Sequence, residues 1–76
     1  MFLYLVIKET LFHPDIGSYI SYGLRAIFLS GGICQEITKI SDISTDSVTV
    51  ALLAQQCTRE QLYPVHLMDV IEDFLS

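Results

Sequence analysis

His66, Asp69, Glu72 and Asp73 stand close together in the closing stretch "LYPVHLMDVIEDFLS", residues 62–76. On a helix, His66 and Asp69 would share a face, as side chains three apart do, and would form half of a metal site. The other His–carboxylate pair, His13 and Asp15, falls in turn-rich sequence. Two distant half-sites with no Cys/His cluster at metal-ligand spacing argue against a bound metal. Cys34 and Cys57 are far apart and form no CxxC motif, so both are expected to be reduced thiols rather than a disulfide framework. Nucleophilic catalysis finds no better support. Ser, His and Asp all occur, but no G-x-S-x-G elbow does, and nothing joins Cys34 to a histidine. "SGGI" (30–33) lacks the Gly-Lys-Ser/Thr ending of a phosphate loop. Tyr19 and Tyr22, three apart on a strand, would point to opposite faces and make no stacking platform for bases. The expectation is a chain with no catalytic residue, cofactor or metal, and therefore not an enzyme.

These residues have to be positioned by a small set of elements. Up to about residue 44 apolar residues recur with a period near two, and after it near 3.6. "FLYLVIKETLF" (2–12) and "YISYGLRAIFLS" (19–30) read as strands, and "ICQEITKI" (33–40) as a third. "HPDIGS" (13–18) is turn material. Gly31-Gly32 supplies the positive φ values of a two-residue hairpin turn. "SDISTDS" (41–47) reads as a loop into a helix, with Ser44 or Thr45 as the cap and Asp46 at the positive end of the dipole. That helix ends near Cys57 or Arg59. Pro64 opens a second helix, where proline is well placed, running to about Leu75. The predicted fold is α+β: one domain over residues 1–76, a three-stranded antiparallel meander followed by two helices on one face (βββαα).

A register follows if the first loop closes Phe12 against Tyr19. Leu11 then faces Ile20, Ile7 faces Leu24, Leu5 faces Ala26 and Leu3 faces Phe28 on an apolar inner side. The second turn adds Ile37 opposite Ala26 and sets Glu36 opposite Ile27 on the outer side, diagonal to Arg25. The helices meet that inner layer with Val48, Leu52, Leu67, Val70, Ile71 and Phe74. In this register Phe2, Tyr4, Val6, Ile27 and Leu29 share the outer side with nothing to cover them, and form a candidate self-association face. Asp69, Glu72 and Asp73 lie on the solvent side of the last helix, a soluble surface or a candidate docking face for a protein partner.

Composition bounds the partners. Nine acids against four scattered bases give a net charge of −5, which disfavours nucleic acid and anionic membrane. "MFLYLVIKETLF" has no positive n-region, and Lys8 and Glu9 interrupt its apolar run, so it is not expected to act as a signal peptide. No stretch approaches the ~20 apolar residues of a membrane span. The chain is expected in the cytoplasm. Its 51% hydrophobic content on so small a volume favours a homo-oligomer, a dimer by default.

"YISYGLRA" (19–26), the central "SDIS" and "HLMDVIEDFL" (66–75) together resemble a family of short clostridial and related Firmicutes proteins with no assigned activity. Those proteins carry a Y-x-x-Y-G strand followed by Ile or Leu, and end in an H-L-x-D-V-I-E-D-F-L helix. The resemblance spans most of the chain and implies a fold without implying catalytic residues. Two functional classes remain. One is a non-enzymatic interaction or regulatory module. The other is a small ligand-binding or enzymatic subunit with a pocket between sheet and helices near Glu9, Tyr22 and His66.

Overall fold

A computed structural model describes residues 1–76 and shows the βββαα order. Strands β1 (Phe2–His13), β2 (Gly17–Ser30) and β3 (Ile33–Ser44) form one antiparallel sheet in the order β1-β2-β3. Helix α1 (Ser47–Arg59) follows. A single 3-10 turn at Pro64–His66 then leads into α2 (Leu67–Leu75). The sheet is long, and the molecule measures 45 × 26 × 19 Å. Both helices pack on one face of it.

The two hairpins differ in how their turns set register. Gly31 and Gly32 adopt φ values of +56° and +81° between the paired Ser30 and Ile33, the expected two-residue primed turn. The first hairpin is tighter than the sequence suggested. His13 pairs with Gly17, leaving Pro14, Asp15 and Ile16 as the loop. The Ile16 N–H donates to the His13 carbonyl at 3.1 Å, and Gly17 takes φ +79°. A β-turn with proline at its second position, followed by a left-handed glycine, is a standard three-residue hairpin loop.

That loop moves β1 by one residue relative to the expected register. Tyr4 pairs with Ala26, Leu5 with Arg25 and Leu3 with Ile27. A slip of one residue exchanges the two faces of a strand. Phe2 and Tyr4 therefore face the helices, and Leu3, Leu5, Ile7 and Leu11 face away. β2 keeps the expected orientation, with Leu24 and Ala26 in the core. In β3, Glu36 lies opposite Ile27 as expected, but a bulge then leaves Ile37 unpaired and sets Thr38 opposite Ala26.

The core is Tyr4, Leu24 and Ala26 from the sheet, Val50, Leu53, Ala54 and Cys57 from α1, and Leu67 and Ile71 from α2. The α1 stripe, Val50-Leu53-Ala54-Cys57, has the i, i+3, i+4, i+7 spacing of a helix face. Val48 and Leu52, expected to be inside, are 62% and 53% exposed. The cap explains the rotation. Asp46, not Ser44 or Thr45, closes the helix, accepting from Val48 N at 3.0 Å and from Thr49 Oγ1 at 2.8 Å. Those bonds, from Thr49 and then from the Val48 amide, hold the Asp46 carboxyl below the usual carboxylate range.

At its other end α1 stops without glycine. Gln61 takes φ +50°, and the amides of Gln61 and Leu62 bond back to Thr58 O at 3.2 Å and Cys57 O at 3.1 Å, a Schellman closure. The Gln61 side chain then lies along β1 like a neighbouring strand. Its Oε1 accepts from Phe2 N at 2.8 Å and its Nε2 donates to Phe2 O at 2.9 Å. Thr58 Oγ1 accepts from Tyr4 N at 2.9 Å. The outer edge of β1 is thereby sealed at Phe2 and Tyr4.

Tyr4 links these layers. It is 3% exposed, and its hydroxyl donates to Leu62 O at 2.5 Å. Burial first, and the neighbouring Cys57 second, push its pKa from 10.0 up to about 12. Burial also raises the Cys57 thiol, and the Tyr19 hydroxyl is raised by its bond to Asp42. A folded-state pKa above the unfolded value gives stability that is complete below the unfolded pKa and lost as pH rises through the folded one. Urea unfolding is therefore expected to show stability falling from about pH 9 and through 12. Tyr4→Phe should lower stability at pH 7 by about 1 kcal/mol and make that alkaline loss shallower. An unchanged alkaline slope in Tyr4→Phe would remove Tyr4 from this role.

Candidate interaction face

The sheet face opposite the helices is built from the odd-numbered positions of β1 and β2. Leu3, Leu5, Ile7 and Leu11 line β1, with Ile27 and Leu29 beside them on β2. Each is covered only by its neighbours. Leu5 is 39% exposed, whereas Ile27, in the central strand, is 8% exposed. Arg25 crosses the middle of this surface, its Nε 2.8 Å from Glu36 Oε1.

Toward the first hairpin the same face turns polar. β3 continues as a strand through Ser41–Ser44, where a loop was expected, because an irregularity absorbs extra residues there. Leu24 pairs with Ile40 but Tyr22 with Ser44. Gly23 stands opposite this bulge. A Cβ there would lie 2.2 Å from the Ile40 carbonyl oxygen, so the glycine of "YG" is required for space. Asp42 sits at φ +55°, a conformation that Asp tolerates better than most residues. Its carboxylate accepts from the fully buried Ser21 Oγ at 2.6 Å and from Tyr19 OH at 2.9 Å. Those two bonds, Ser21 first, hold the Asp42 carboxyl below its usual range. Ser21 Oγ also lies 3.2 Å from Ser44 O. Beside this group, Glu9 Oε2 accepts from Ser41 Oγ at 3.1 Å and lies 3.8 Å from Lys39 Nζ. The cluster pins the bulge. Its hydroxyls and carboxylates bond to one another, apart from the buried Glu9 Oε1, which has no partner, and no histidine or cysteine joins them.

The five residues expected to share a self-association face are divided between the two sides. Phe2 packs against the core, with its ring 5.2 Å from Phe28 and 5.4 Å from Tyr63. Tyr4 is core, and Val6 follows on the same side. Ile27 and Leu29 remain on the outer face, where Leu3, Leu5 and Ile7 replace the other three. The cause is the three-residue first loop. Glu9, Tyr22 and His66 do not converge. Glu9 lies on the outer face and Tyr22 packs toward the core on the other, while His66 is exposed at the start of α2. The one recess, about 330 Å³ and open, lies between the helices and is lined by Gln56, Val70, Asp73 and Phe74. Asp69, Glu72 and Asp73 are exposed on α2. His13 Nδ1 accepts the Asp15 N–H at 3.1 Å, a turn contact. No three His, Cys, Asp or Glu side chains gather as metal ligands.

Cys34 is exposed on the outer face beside Leu29, and Cys57 is 1% exposed in the core. In dilute solution, where the chain is monomeric, a thiol reagent is expected to titrate one group immediately in the native chain and the second only on unfolding. Two fast thiols would contradict the position of Cys57.

The fold and this face define a small α+β module, a three-stranded meander layered by helices on one side only. No helix is long and apolar enough to cross a membrane. A model of a family of unknown function, DUF6514, matches residues 1–76, and the chain belongs to that family. No curated protein and no solved structure matches it.

Proposed function

We propose that this protein is a non-enzymatic, protein-binding or regulatory module of the cytoplasm that works through its outer sheet face. The observation carrying this reading is the aliphatic row Leu3-Leu5-Ile7, continued by Leu29 around the largely buried Ile27, on the side that no helix covers. Contiguous apolar surface of this kind marks interaction sites on small proteins. Binding there removes it from water at about 25 cal/mol per Å². The polar residues supply a rigid border rather than chemistry: Ser21, Tyr19 and Asp42 spend their hydrogen bonds on one another. The recess between the helices brings a single ionisable side chain, Asp73, to its wall, too little to orient a metabolite. Free thiols at Cys34 and Cys57 suit a reducing compartment.

Affinity capture from the native cell tests this with two baits, the wild-type chain and Leu5→Glu. Leu5 lies opposite Arg25, so a glutamate there keeps a cross-strand partner. The expected result is a protein, the chain's own copies included, that is held by the wild type and lost by the folded variant. Identical behaviour of the two folded baits would refute the reading.

A further inference from the structure

Resting on that reading, we infer that the occupant of the outer sheet face is a second copy of this chain. The two sheets pack outer face to outer face, with the helices on the outside of a four-layer dimer.

Charge selects the occupant. Of the nine acids and four bases, the outer face holds three acids, Glu9, Glu36 and Asp42, and two bases, Arg25 and Lys39. It carries one net negative charge. The remaining six acids and two bases put four negative charges on the turns, the helices and the opposite side. Two chains of charge −5 repel each other least through this face. It offers no single-sign field to steer a strongly basic or acidic partner. Its charges also enter already paired: Arg25 with Glu36 at 2.8 Å, Lys39 with Glu9 at 3.8 Å, and Asp42 bonded to Ser21 and Tyr19.

The other surfaces are less available. The β1 edge is occupied at Phe2 and Tyr4 by Gln61 and Thr58. The β3 edge is broken by two register shifts, which discourage strand addition. The helix side of the sheet carries the core beneath the helices, and its exposed apolar residues Val6, Phe12 and Ile20 are interrupted by Lys8 and Thr10.

The dimensions also fit. Three strands about 4.8 Å apart make a face roughly 14 Å wide along a molecule 45 Å long. Two such faces together span roughly 1,300 Å² at most, the lower end of specific interfaces. Sheets packed this way lie about 10 Å apart with strands turned by about 30°. Leu3, Leu5 and Ile7 of each copy then fill the layer.

Light scattering behind a sizing column, run over a concentration series, tests the inference. The wild-type chain is expected to move from 8.6 kDa toward twice that mass as concentration rises. Ile7→Glu, with no base opposite it, should weaken association by roughly a hundredfold or more, and Leu5→Glu, which must share Arg25 with Glu36, should weaken it by about tenfold or more. Val48→Glu, on the exposed side of α1, should leave it unchanged. Circular dichroism shows which variants keep the fold. A milder Leu5→Thr, expected to weaken association about tenfold, is read alongside in case a glutamate unfolds the chain. A wild-type chain that stays at 8.6 kDa into the millimolar range overturns the inference. So do folded outer-face variants that associate like the wild type. If the chain stays monomeric but captures another protein in a Leu5-dependent way, self-association fails and the interaction reading stands. If it stays monomeric and captures nothing, both fail.

Discussion

Gly23→Ala is expected to destabilise the fold by at least about 3 kcal/mol and to leave much of the chain unfolded at 37 °C. The added methyl would sit 2.2 Å from the Ile40 carbonyl oxygen, 3.1 Å from Ser41 Cα and 3.2 Å from the Ile40 carbonyl carbon. All three are backbone atoms, so no rotamer change relieves the clash. β3 would have to back away from β2 at the bulge, breaking the bonds of Ser21 and Tyr19 to Asp42. A domain of this length has only about 4–11 kcal/mol of stability to lose. Gly17→Ala is the control. Gly17 has φ +79° and open space around the added carbon, so its expected cost is the left-handed backbone alone, about 1–2 kcal/mol. Urea unfolding followed by circular dichroism ranks the two, and equal losses would mean that β3 does not press on Gly23.

The second large effect is in the helices. Leu53→Ala is expected to cost about 3–4 kcal/mol and to lower Tm by roughly 15–25 °C. Leu53 is fully buried between α1 and the sheet, where the surroundings cannot collapse into the space left behind. The apolar pattern of the last helix places Phe74 among the residues that meet the sheet, where truncation of a buried phenylalanine costs ~3–5 kcal/mol. In the structure it is only partly buried and lines the open recess with Val70 and Gln56, so Phe74→Ala should cost about 1–2 kcal/mol. Paired thermal melts decide between them. A larger loss in Phe74→Ala would reverse the assignment of the core to the α1 stripe.

The acid limb has a definite sign. Asp42 and Asp46 titrate below their ordinary 3.8 in the folded chain. The stability they contribute is present above that value and is lost as pH falls through the lowered folded values. Asp46→Ala should remove the helix cap and flatten this acid dependence.

The order and type of the three strands and two α-helices could be read from residue patterns, because alternation, the Gly31-Gly32 turn and Pro64 are local signals, although Pro64 opens a 3-10 turn and the α-helix begins only at Leu67. What could not be read were choices between near-equal alternatives. β1 is apolar on both sides, with Phe2, Tyr4 and Val6 on one and Leu3, Leu5 and Ile7 on the other, so hydrophobicity alone does not say which side is buried. The decision came from "HPDIG", whose proline and left-handed glycine close a three-residue loop, and from the Tyr4 hydroxyl reaching Leu62. α1 likewise offers two stripes, and the Asp46 cap selects the one through Val50 and Leu53. No familiar signal marks Gln61, which takes a left-handed position usually given to glycine and pairs with the β1 backbone. The acidic side of α2 was legible because charged residues on an amphipathic helix face water whatever the register. The outer face was legible in kind, an uncovered apolar side, but its β1 residues changed with the slip.

Equilibrium unfolding of Tyr4→Glu and Leu5→Glu, side by side and dilute enough that association plays no part, tests that central assignment most directly. The structure predicts that Leu5→Glu folds with a loss of about 1 kcal/mol or less, while Tyr4→Glu, which puts a charge into the core beside Leu24 and Val50, does not fold. A folded Tyr4→Glu together with an unfolded Leu5→Glu would put the aliphatic row of β1 beneath the helices and contradict the account.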